Sequence, residues 1–160
     1  MRRMPFLAVV ATGALALLIL TAVSAAAIDT HESKSVVVST RNISGLGQVL
    51  VNAKGLTLYM FVPDKQSKVT CVKGCAAAWP PLTLPKGAKA TATGKAKASL
   101  LGSDASPSGG RVVTYNGWPL YTYVADAKPG ADSGQALKLN GGLWYVLSPA
   151  GKVIKTKVKS

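Results

Sequence analysis

A ten-residue phrase occurs twice in this chain. Residues 55–64 read GLTLYMFVPD, and residues 117–126 read GWPLYTYVAD. Glycine, leucine, tyrosine, a second aromatic residue, valine and aspartate recur at six positions with one constant offset of 62 residues. Six matches in one register indicate an internal duplication. The sequence therefore predicts two related repeats, which cover about 47–82 and 109–149.

The fold class follows from short apolar segments separated by turn signals. Residues 56–62 alternate between two apolar faces, which is typical of a strand covered on both sides. Asn116-Gly117 is a strong hairpin signal between two such segments. One helical turn is expected at 75–79, where two prolines follow and stop it. These features predict an all-β domain, a small sandwich or a barrel-like fold, built from the two repeats.

The N-terminus has the pattern of an export signal. Two arginines precede an almost unbroken apolar run from residue 6 to residue 23, and small residues follow it. This pattern predicts a signal peptide over 1–27. The apolar run is also close to the length of a spanning helix, so an uncleaved anchor is the alternative. In either case the sequence predicts an exported protein, periplasmic or extracellular at the cell surface.

The remaining boundaries follow from composition. A flexible N-terminal segment is expected over 28–44, and the duplicated β domain over 45–154. Lys, Ala, Gly and Thr without an apolar period predict a linker over 85–108. Residues 155–160 are expected to form a basic tail. Upstream of the phrase, the weaker match of 47–51 with 109–113 extends the same offset.

The charge of the chain is strongly positive. The formal net charge is +13, and cleavage after residue 27 removes only two arginines, which leaves +11. Such an excess predicts attraction to an anionic envelope surface or polymer. Export argues against nucleic acid as a partner in vivo, and contact with a membrane is expected only if the N-terminal segment stays uncleaved. The alternative is that the lysines only keep a secreted protein soluble, and the sequence does not indicate an oligomeric state.

The chain has two cysteines, Cys71 and Cys75. In an exported protein such a pair most often forms a disulfide, and here the bond would pin a turn. The C-x3-C spacing differs from the C-x-x-C of redox-active pairs, although a redox or metal role stays open.

The repeated phrase suggests two different roles for its side chains. Tyr59 and Phe61 are two residues apart, so both point to one face of the strand, and Asp64 follows the strand end. Tyr121, Tyr123 and Asp126 repeat this spacing. In one interpretation the rings pack against the sister repeat and each aspartate pins its turn. In the other, the residues frame a cleft whose two carboxylates, Asp64 and Asp126, bind a metal ion or a sugar.

Known catalytic patterns are missing from the sequence. The only histidine, His31, lies far upstream of the repeats, so no Ser-His-Asp set can be assembled from them. The Gly-rich phosphate loop is also absent. We therefore expect a protein that is not an enzyme and has no organic cofactor, with a metal ion as an open alternative.

The chain resembles the bacterial secreted repeat of unknown function, a family of predicted lipoproteins with a Tyr-x-(Phe/Trp/Tyr)-x-x-Asp motif. The resemblance implies an exported envelope protein and no defined activity. The chain departs from the lipoprotein label because it has no cysteine near the predicted cleavage site. The resembling segments are 58–64, Cys71-x3-Cys75-x3-Trp79-Pro-Pro-Leu82, 117–126, and Trp144 before Ser148-Pro149.

From these observations we expect a non-enzymatic binding or structural module of the cell envelope. The alternative is a metal-binding or redox-linked protein that uses Asp64 and Asp126, or Cys71 and Cys75.

Overall fold

A computed structural model describes residues 35–65 and 67–157 of the chain. The predicted signal peptide or anchor at 1–27 lies outside the described residues. Within them the protein is built from short strands and one short helix, α1 (Gly74–Ala78). The strands are β1 (Ser35–Ile43), β2 (Gly47–Asn52), β3 (Tyr59–Phe61), β4 (Thr83–Leu84), β5 (Lys89–Ala92), β6 (Leu101–Ala105), β7 (Arg111–Tyr115), β8 (Trp118–Pro119), β9 (Lys138–Leu139), β10 (Gly142–Leu147) and β11 (Val153–Ile154).

The strands form three small sheets. The first has the order β2-β1-β5, the second β11-β10-β3 with β9 on β10, and the third β4-β7-β6 with β8 on β7. All pairs are antiparallel except β1 with β5, which is parallel. The described strands do not close into a barrel, and the all-β prediction is confirmed as a small sandwich. None of the described helices is long and apolar enough to span a membrane.

The two repeats exchange a strand with each other. β3 belongs to the first repeat, but its neighbour β10 belongs to the second, with Phe61 opposite Trp144 and Tyr59 opposite Val146. The sheet that carries the first copy of the phrase is therefore completed by the second repeat.

The reverse exchange places a segment of the first repeat beside the second copy of the phrase. The backbone N–H of Thr122 donates to the carbonyl of Pro80 at 3.0 Å, and that of Val124 donates to Ala78 at 3.1 Å. β4 continues this pairing against β7. Each copy of the phrase is therefore paired with a segment of the other repeat.

The side chains of β3 and of Leu58, which precedes it, point into two different cores. Tyr59 and Phe61 lie in a cluster that contains the two buried tryptophans, whereas Leu58 and Met60 lie in a largely aliphatic cluster. All four side chains are buried. The strand is therefore covered on both faces, as its two apolar faces predict. It is shorter than the segment 56–62: it begins at Tyr59, and a 3-10 turn follows it at Val62.

The structure corrects the expected N-terminal boundary. The sequence predicts a flexible segment over 28–44, whereas β1 is the central strand of the first sheet. It forms because Val38 and Ile43 are buried, while the polar residues between them obscure the apolar pattern. Residues 28–34 of that segment lie outside the described residues.

The structure also corrects the linker expected over 85–108. β5 lies in it and pairs with β1, with Ser35 opposite Lys89, and β6 lies in it and pairs with β7. β5 (Lys-Ala-Thr-Ala) and β6 (Leu-Gly-Ser-Asp-Ala) consist mostly of small or polar residues and have no apolar period, because their side chains need only to fit against a neighbouring strand. Of the basic tail expected over 155–160, residues 155–157 are exposed and outside any strand, and the rest is not described.

The constant offset does not hold upstream of the phrase. The N–H of Leu58 donates to the carbonyl of Leu50, and the N–H of Leu120 donates to that of Val113. Leu50 therefore corresponds to Val113 and not to Val112. The first hairpin has one residue more in its turn, which shifts the offset by one.

Candidate functional site: the paired motifs and the charged surface

The two copies of the phrase meet at their tyrosines. The backbone N–H of Tyr59 donates to the carbonyl of Tyr121 at 2.8 Å, and the N–H of Tyr121 donates back to Tyr59 at 3.0 Å. This reciprocal pair of bonds relates the repeats by an approximate twofold axis. The side chains of the motif are arranged around that axis.

Each motif tyrosine is bonded to the aspartate of the other repeat. The phenol of Tyr59 donates to Oδ2 of Asp126 at 2.6 Å, and the phenol of Tyr121 donates to Oδ2 of Asp64 at 2.6 Å. All four side chains are buried. A hydrogen bond to a charged acceptor is among the stronger kinds, and here it joins two segments that are distant in sequence.

The second carboxylate oxygen of each aspartate holds the loop that follows it. Oδ1 of Asp64 accepts from the backbone N–H and the hydroxyl of Thr70, at 2.7 and 2.6 Å. Oδ1 of Asp126 accepts from the N–H of Ser133 at 3.0 Å. Each aspartate thus pins its own turn and accepts the phenol of the sister repeat. The spacing of the sequence suggested the first contact and gave no signal for the second.

Burial changes the acid–base properties of these groups. Desolvation, followed by the hydrogen bond to Asp126 and the charge of that residue, raises the pKa of Tyr59 far above its ordinary value. Desolvation, followed by the hydrogen bond to Asp64 and the charge of that residue, likewise raises the pKa of Tyr121. Desolvation also raises the pKa of Asp64, and its bonds from Thr70, Tyr121 and Cys71 oppose that rise. The phenols therefore stay protonated donors throughout the physiological range.

Four aromatic rings form a stack beside the twofold axis. Trp79 and Trp144 lie parallel at its centre, with 3.8 Å between ring centroids and 3° between planes. Phe61 stacks on Trp144 at 4.2 Å, and Tyr123 stacks on Trp79 at 4.1 Å. Each outer ring therefore covers the tryptophan of the other repeat. We call this stack, with Tyr59 and Tyr121, the aromatic core.

The motif tyrosines close the sides of the aromatic core. Tyr59 meets Trp79 edge to face at 5.4 Å, and Tyr121 meets Trp144 at 5.3 Å. Edge-to-face and offset stacked pairs each contribute about 0.5–1.5 kcal/mol beyond the burial of their area. The indoles differ in one respect: Nε1 of Trp144 donates to the carbonyl of Leu139, whereas the buried Nε1 of Trp79 has no partner among the described residues.

The predicted disulfide between Cys71 and Cys75 is confirmed. Their Cα atoms lie 5.2 Å apart. The bond joins Cys71, which follows the turn that Asp64 pins, to Cys75 within α1, and Trp79 comes directly after that helix. It therefore fixes the path from the first motif to the first tryptophan, and no cysteine bond stands at the corresponding place in the second repeat.

The arrangement gives the motif residues a role inside the fold. Tyr59, Phe61, Asp64, Tyr121 and Asp126 are buried, and only Tyr123 is half-exposed. The structure brings Tyr59 to Asp126 and Tyr121 to Asp64, and it opens no cleft that these carboxylates line among the described pockets. The described residues hold no group of three or more His, Cys, Asp or Glu placed to bind a metal.

The surface differs sharply from the interior in charge. All fifteen Lys and Arg side chains of residues 35–65 and 67–157 are exposed. The same residues include four aspartates, of which Asp64 and Asp126 are buried and Asp104 and Asp132 are half-buried. No acidic side chain in the described range is fully exposed, so the surface presents almost only positive charge.

One comparison with known proteins agrees with the two repeats. A family model described as a secreted repeat of unknown function matches residues 41–83 and 102–148. These two ranges contain both copies of the motif and cover more than half of the chain. The protein belongs to this family of secreted repeats. It is therefore an exported protein of unestablished activity. A search of curated proteins and a search of solved structures returned no match.

Proposed function

We propose that the protein is a non-enzymatic binding module that holds an anionic surface or polymer of the cell envelope. The observation that carries this proposal is the separation of charge between surface and interior. Within residues 35–65 and 67–157, fifteen cationic side chains are exposed, and the four acidic side chains are buried or half-buried. A surface of one sign attracts polyanions over distances that individual contacts do not reach.

The separation of charge supports binding more strongly than it supports solubility alone. A soluble domain ordinarily mixes both signs of charge on its surface. Here the two most buried aspartates are bonded to tyrosines, so they serve the fold and do not neutralise neighbouring lysines. The excess positive charge therefore remains available to a partner outside the protein.

The interior supports a role other than catalysis. Asp64 and Asp126 are the carboxylates that the sequence offers for acid–base work, and both oxygens of each already accept hydrogen bonds. A rigid aromatic core and a disulfide are suited to a scaffold that presents a surface. An exported scaffold with a basic surface is placed where phosphate- and carboxylate-rich polymers occur, outside the cytoplasmic membrane.

Binding to defined polyanions tests the proposal. We expect the purified protein to bind vesicles that contain phosphatidylglycerol and to bind soluble poly(glycerol phosphate). Neutral phosphatidylcholine vesicles and dextran are the matched uncharged probes. Affinity should fall steeply between about 50 mM and about 500 mM salt, because screening shortens the reach of charge from about 14 Å to about 4 Å. Equal binding to charged and neutral probes, or no binding at low salt, would reject the proposal.

A further inference from the structure

The two repeats carry surface grooves at equivalent places. The first groove, of about 650 Å³, lies beside β1 and the turn at Gly55. The second, of about 400 Å³, lies beside β6 and the turn at Gly117. The carbonyl of each glycine accepts a backbone hydrogen bond from the other repeat. The N–H of Gly130 donates to Gly55, and the N–H of Ser67 donates to Gly117.

Strand register fixes which groove residues correspond. Thr40 of β1 lies opposite Leu50 of the first repeat, and Ser103 of β6 lies opposite Val113 of the second. Since Leu50 and Val113 are equivalent, Thr40 corresponds to Ser103. The next residues along β1 and β6 are Arg41 and Asp104, which therefore occupy the same position in the two repeats.

The two grooves consequently have opposite charge. The first is lined by Arg41 and Lys54 and by no acidic side chain. The second is lined by Asp104 and by no basic side chain. The guanidinium of Arg111, which lies on the neighbouring strand, is bonded to Ser103. The two grooves therefore share the same backbone arrangement but differ in the charge of the side chains that line them.

The polar groups that line the first groove are mainly hydrogen-bond donors. The hydroxyl of Thr40 accepts from the N–H of Lys95 at 3.0 Å, so its own proton remains to be donated. Oδ1 of Asn52 accepts from the N–H groups of Lys54 and Leu56, which leaves the amide NH2 as a donor. With the two cations and the hydroxyl of Ser39, this set complements an anion with several acceptor oxygens.

The position of Arg41 depends on a glycine of the repeated phrase. Gly55 has φ of +76°, and a Cβ at this residue would lie 3.1 Å from Nη2 of Arg41 and 3.2 Å from Cβ of Pro129. The missing side chain leaves the space in which the guanidinium rests against the turn. Among the hydrogen bonds of the described residues, none is made by that guanidinium, so its N–H donors remain available to a ligand.

The geometry points to the first groove as a binding site for the phosphate of a polyol phosphodiester. The guanidinium can hold two phosphate oxygens at once, Lys54 adds a second charge, and the hydroxyls suit the polyol on either side. A neighbouring groove of about 420 Å³ shares Asn52 and Lys54 with the first groove, so a polymeric ligand could extend from one groove into the other. This inference rests on the proposed function, since it names the site and ligand chemistry of the same basic surface.

The test compares two pairs of substitutions that remove the same charge. Arg41→Gln with Lys54→Gln alters the groove, whereas Lys138→Gln with Lys152→Gln removes two exposed lysines that line none of the grooves described above. Each variant is titrated with poly(glycerol phosphate), with phosphatidylglycerol vesicles and with inorganic phosphate at one salt concentration. Thermal melting of each variant confirms that it is folded.

We expect the groove variant to lose about tenfold or more in affinity for a phosphodiester probe, because a hydrogen bond to a charged group is lost as well as the charge. The control variant should lose about twofold. A selective loss with the polymer identifies a polymer phosphate, and a selective loss with vesicles identifies a lipid headgroup. Equal losses of affinity in both variants would reject the first groove as the binding site while leaving the proposed function intact. A wild-type protein that binds no anionic probe would overturn both.

Discussion

Tyr59 and Asp126 lie 67 residues apart in the chain, and the phenol of Tyr59 donates a 2.6 Å hydrogen bond to the carboxylate of Asp126 inside the core. Tyr121 and Asp64 form the equivalent bond in the opposite direction across the twofold axis. Each copy of the motif is therefore completed by the other copy. The recurrence of tyrosine and aspartate at one spacing has a structural cause, because the hydrogen bond between phenol and carboxylate always joins residues of different repeats.

A double-mutant cycle should detect this crossed pairing. Tyr59→Phe leaves the buried carboxylate of Asp126 with one partner fewer, so we expect it to lower the free energy of unfolding by about 1–3 kcal/mol. Combined with Asp126→Asn, it should show a coupling energy of about 0.5 kcal/mol or more. Chemical denaturation of wild type, both single variants and the double variant supplies the four values.

The matched control pairs Tyr59→Phe with Asp64→Asn, two residues of the same phrase. These side chains belong to different hydrogen bonds. Their effects should add to within about 0.5 kcal/mol. A larger coupling for this pair than for Tyr59 with Asp126 would contradict the crossed arrangement.

The buried phenols should make the protein sensitive to alkali. Their pKa values are raised in the folded protein, so the folded state keeps protons that the unfolded state loses above about pH 10. The contribution of these groups to stability is complete below that pH. Above it, the free energy of unfolding should fall by about 1.4 kcal/mol per pH unit for each phenol.

Denaturation between pH 8 and about pH 11.5 measures this slope. The variant with Tyr59→Phe and Tyr121→Phe should show a shallower fall than wild type. The difference between the two curves isolates the two phenols from lysines that titrate in the same range. Parallel curves would show that the phenols ionise without unfolding the protein.

The disulfide should contribute modestly to stability. It closes a loop between cysteines only four positions apart, for which loop-closure entropy gives about 2 kcal/mol. We expect Cys71→Ser with Cys75→Ser to lower the free energy of unfolding by about that amount and to leave the secondary structure intact. Intact-mass analysis after alkylation should find no free thiol in the exported protein. Two alkylated cysteines in an unreduced sample would contradict the assignment.

Gly134 tests how tightly the aromatic core is packed. A Cβ at this residue would lie 2.7 Å from Trp79 and 2.9 Å from Tyr59, with no positive φ to complicate the comparison. We expect Gly134→Ala to destabilise the protein by about 1–3 kcal/mol through overpacking. Gly74, in α1, has open space at its Cβ position. Gly74→Ala should therefore be neutral or stabilising, because alanine favours the helix. Equal melting temperatures for the two variants would argue against the tight contact.

The local part of this fold could be predicted from the sequence. The alternation around Tyr59 and Phe61 correctly gave a strand covered on both faces, since side-chain direction is a local property. The cysteine pair and the helical turn before Trp79 were predictable for the same reason. The repeat was visible because six positions kept one offset.

The long-range part could not be predicted. β1 and β5 consist largely of valine, serine, threonine and alanine, and their parallel pairing depends on contacts between distant segments. The hydrogen bond between Tyr59 and Asp126 could not be predicted for a related reason. The repeated spacing suggests that each tyrosine finds its partner within its own phrase, whereas the exchange of strands brings it to the aspartate of the other phrase. Arg41 and Lys54 gave no signal, because exposed cations are common in this chain and only the strand register relates Arg41 to Asp104.

The strand exchange between the repeats also bears on how such a protein can evolve. A chain with one repeat would bury its tyrosine, aspartate and tryptophan only by pairing with a second copy of itself, as a twofold-symmetric homodimer. In a homodimer every substitution occurs twice, so both grooves must carry the same charge. Once the two halves share one chain, each can change alone. Arg41 and Asp104, at one position in two repeats, record that independence.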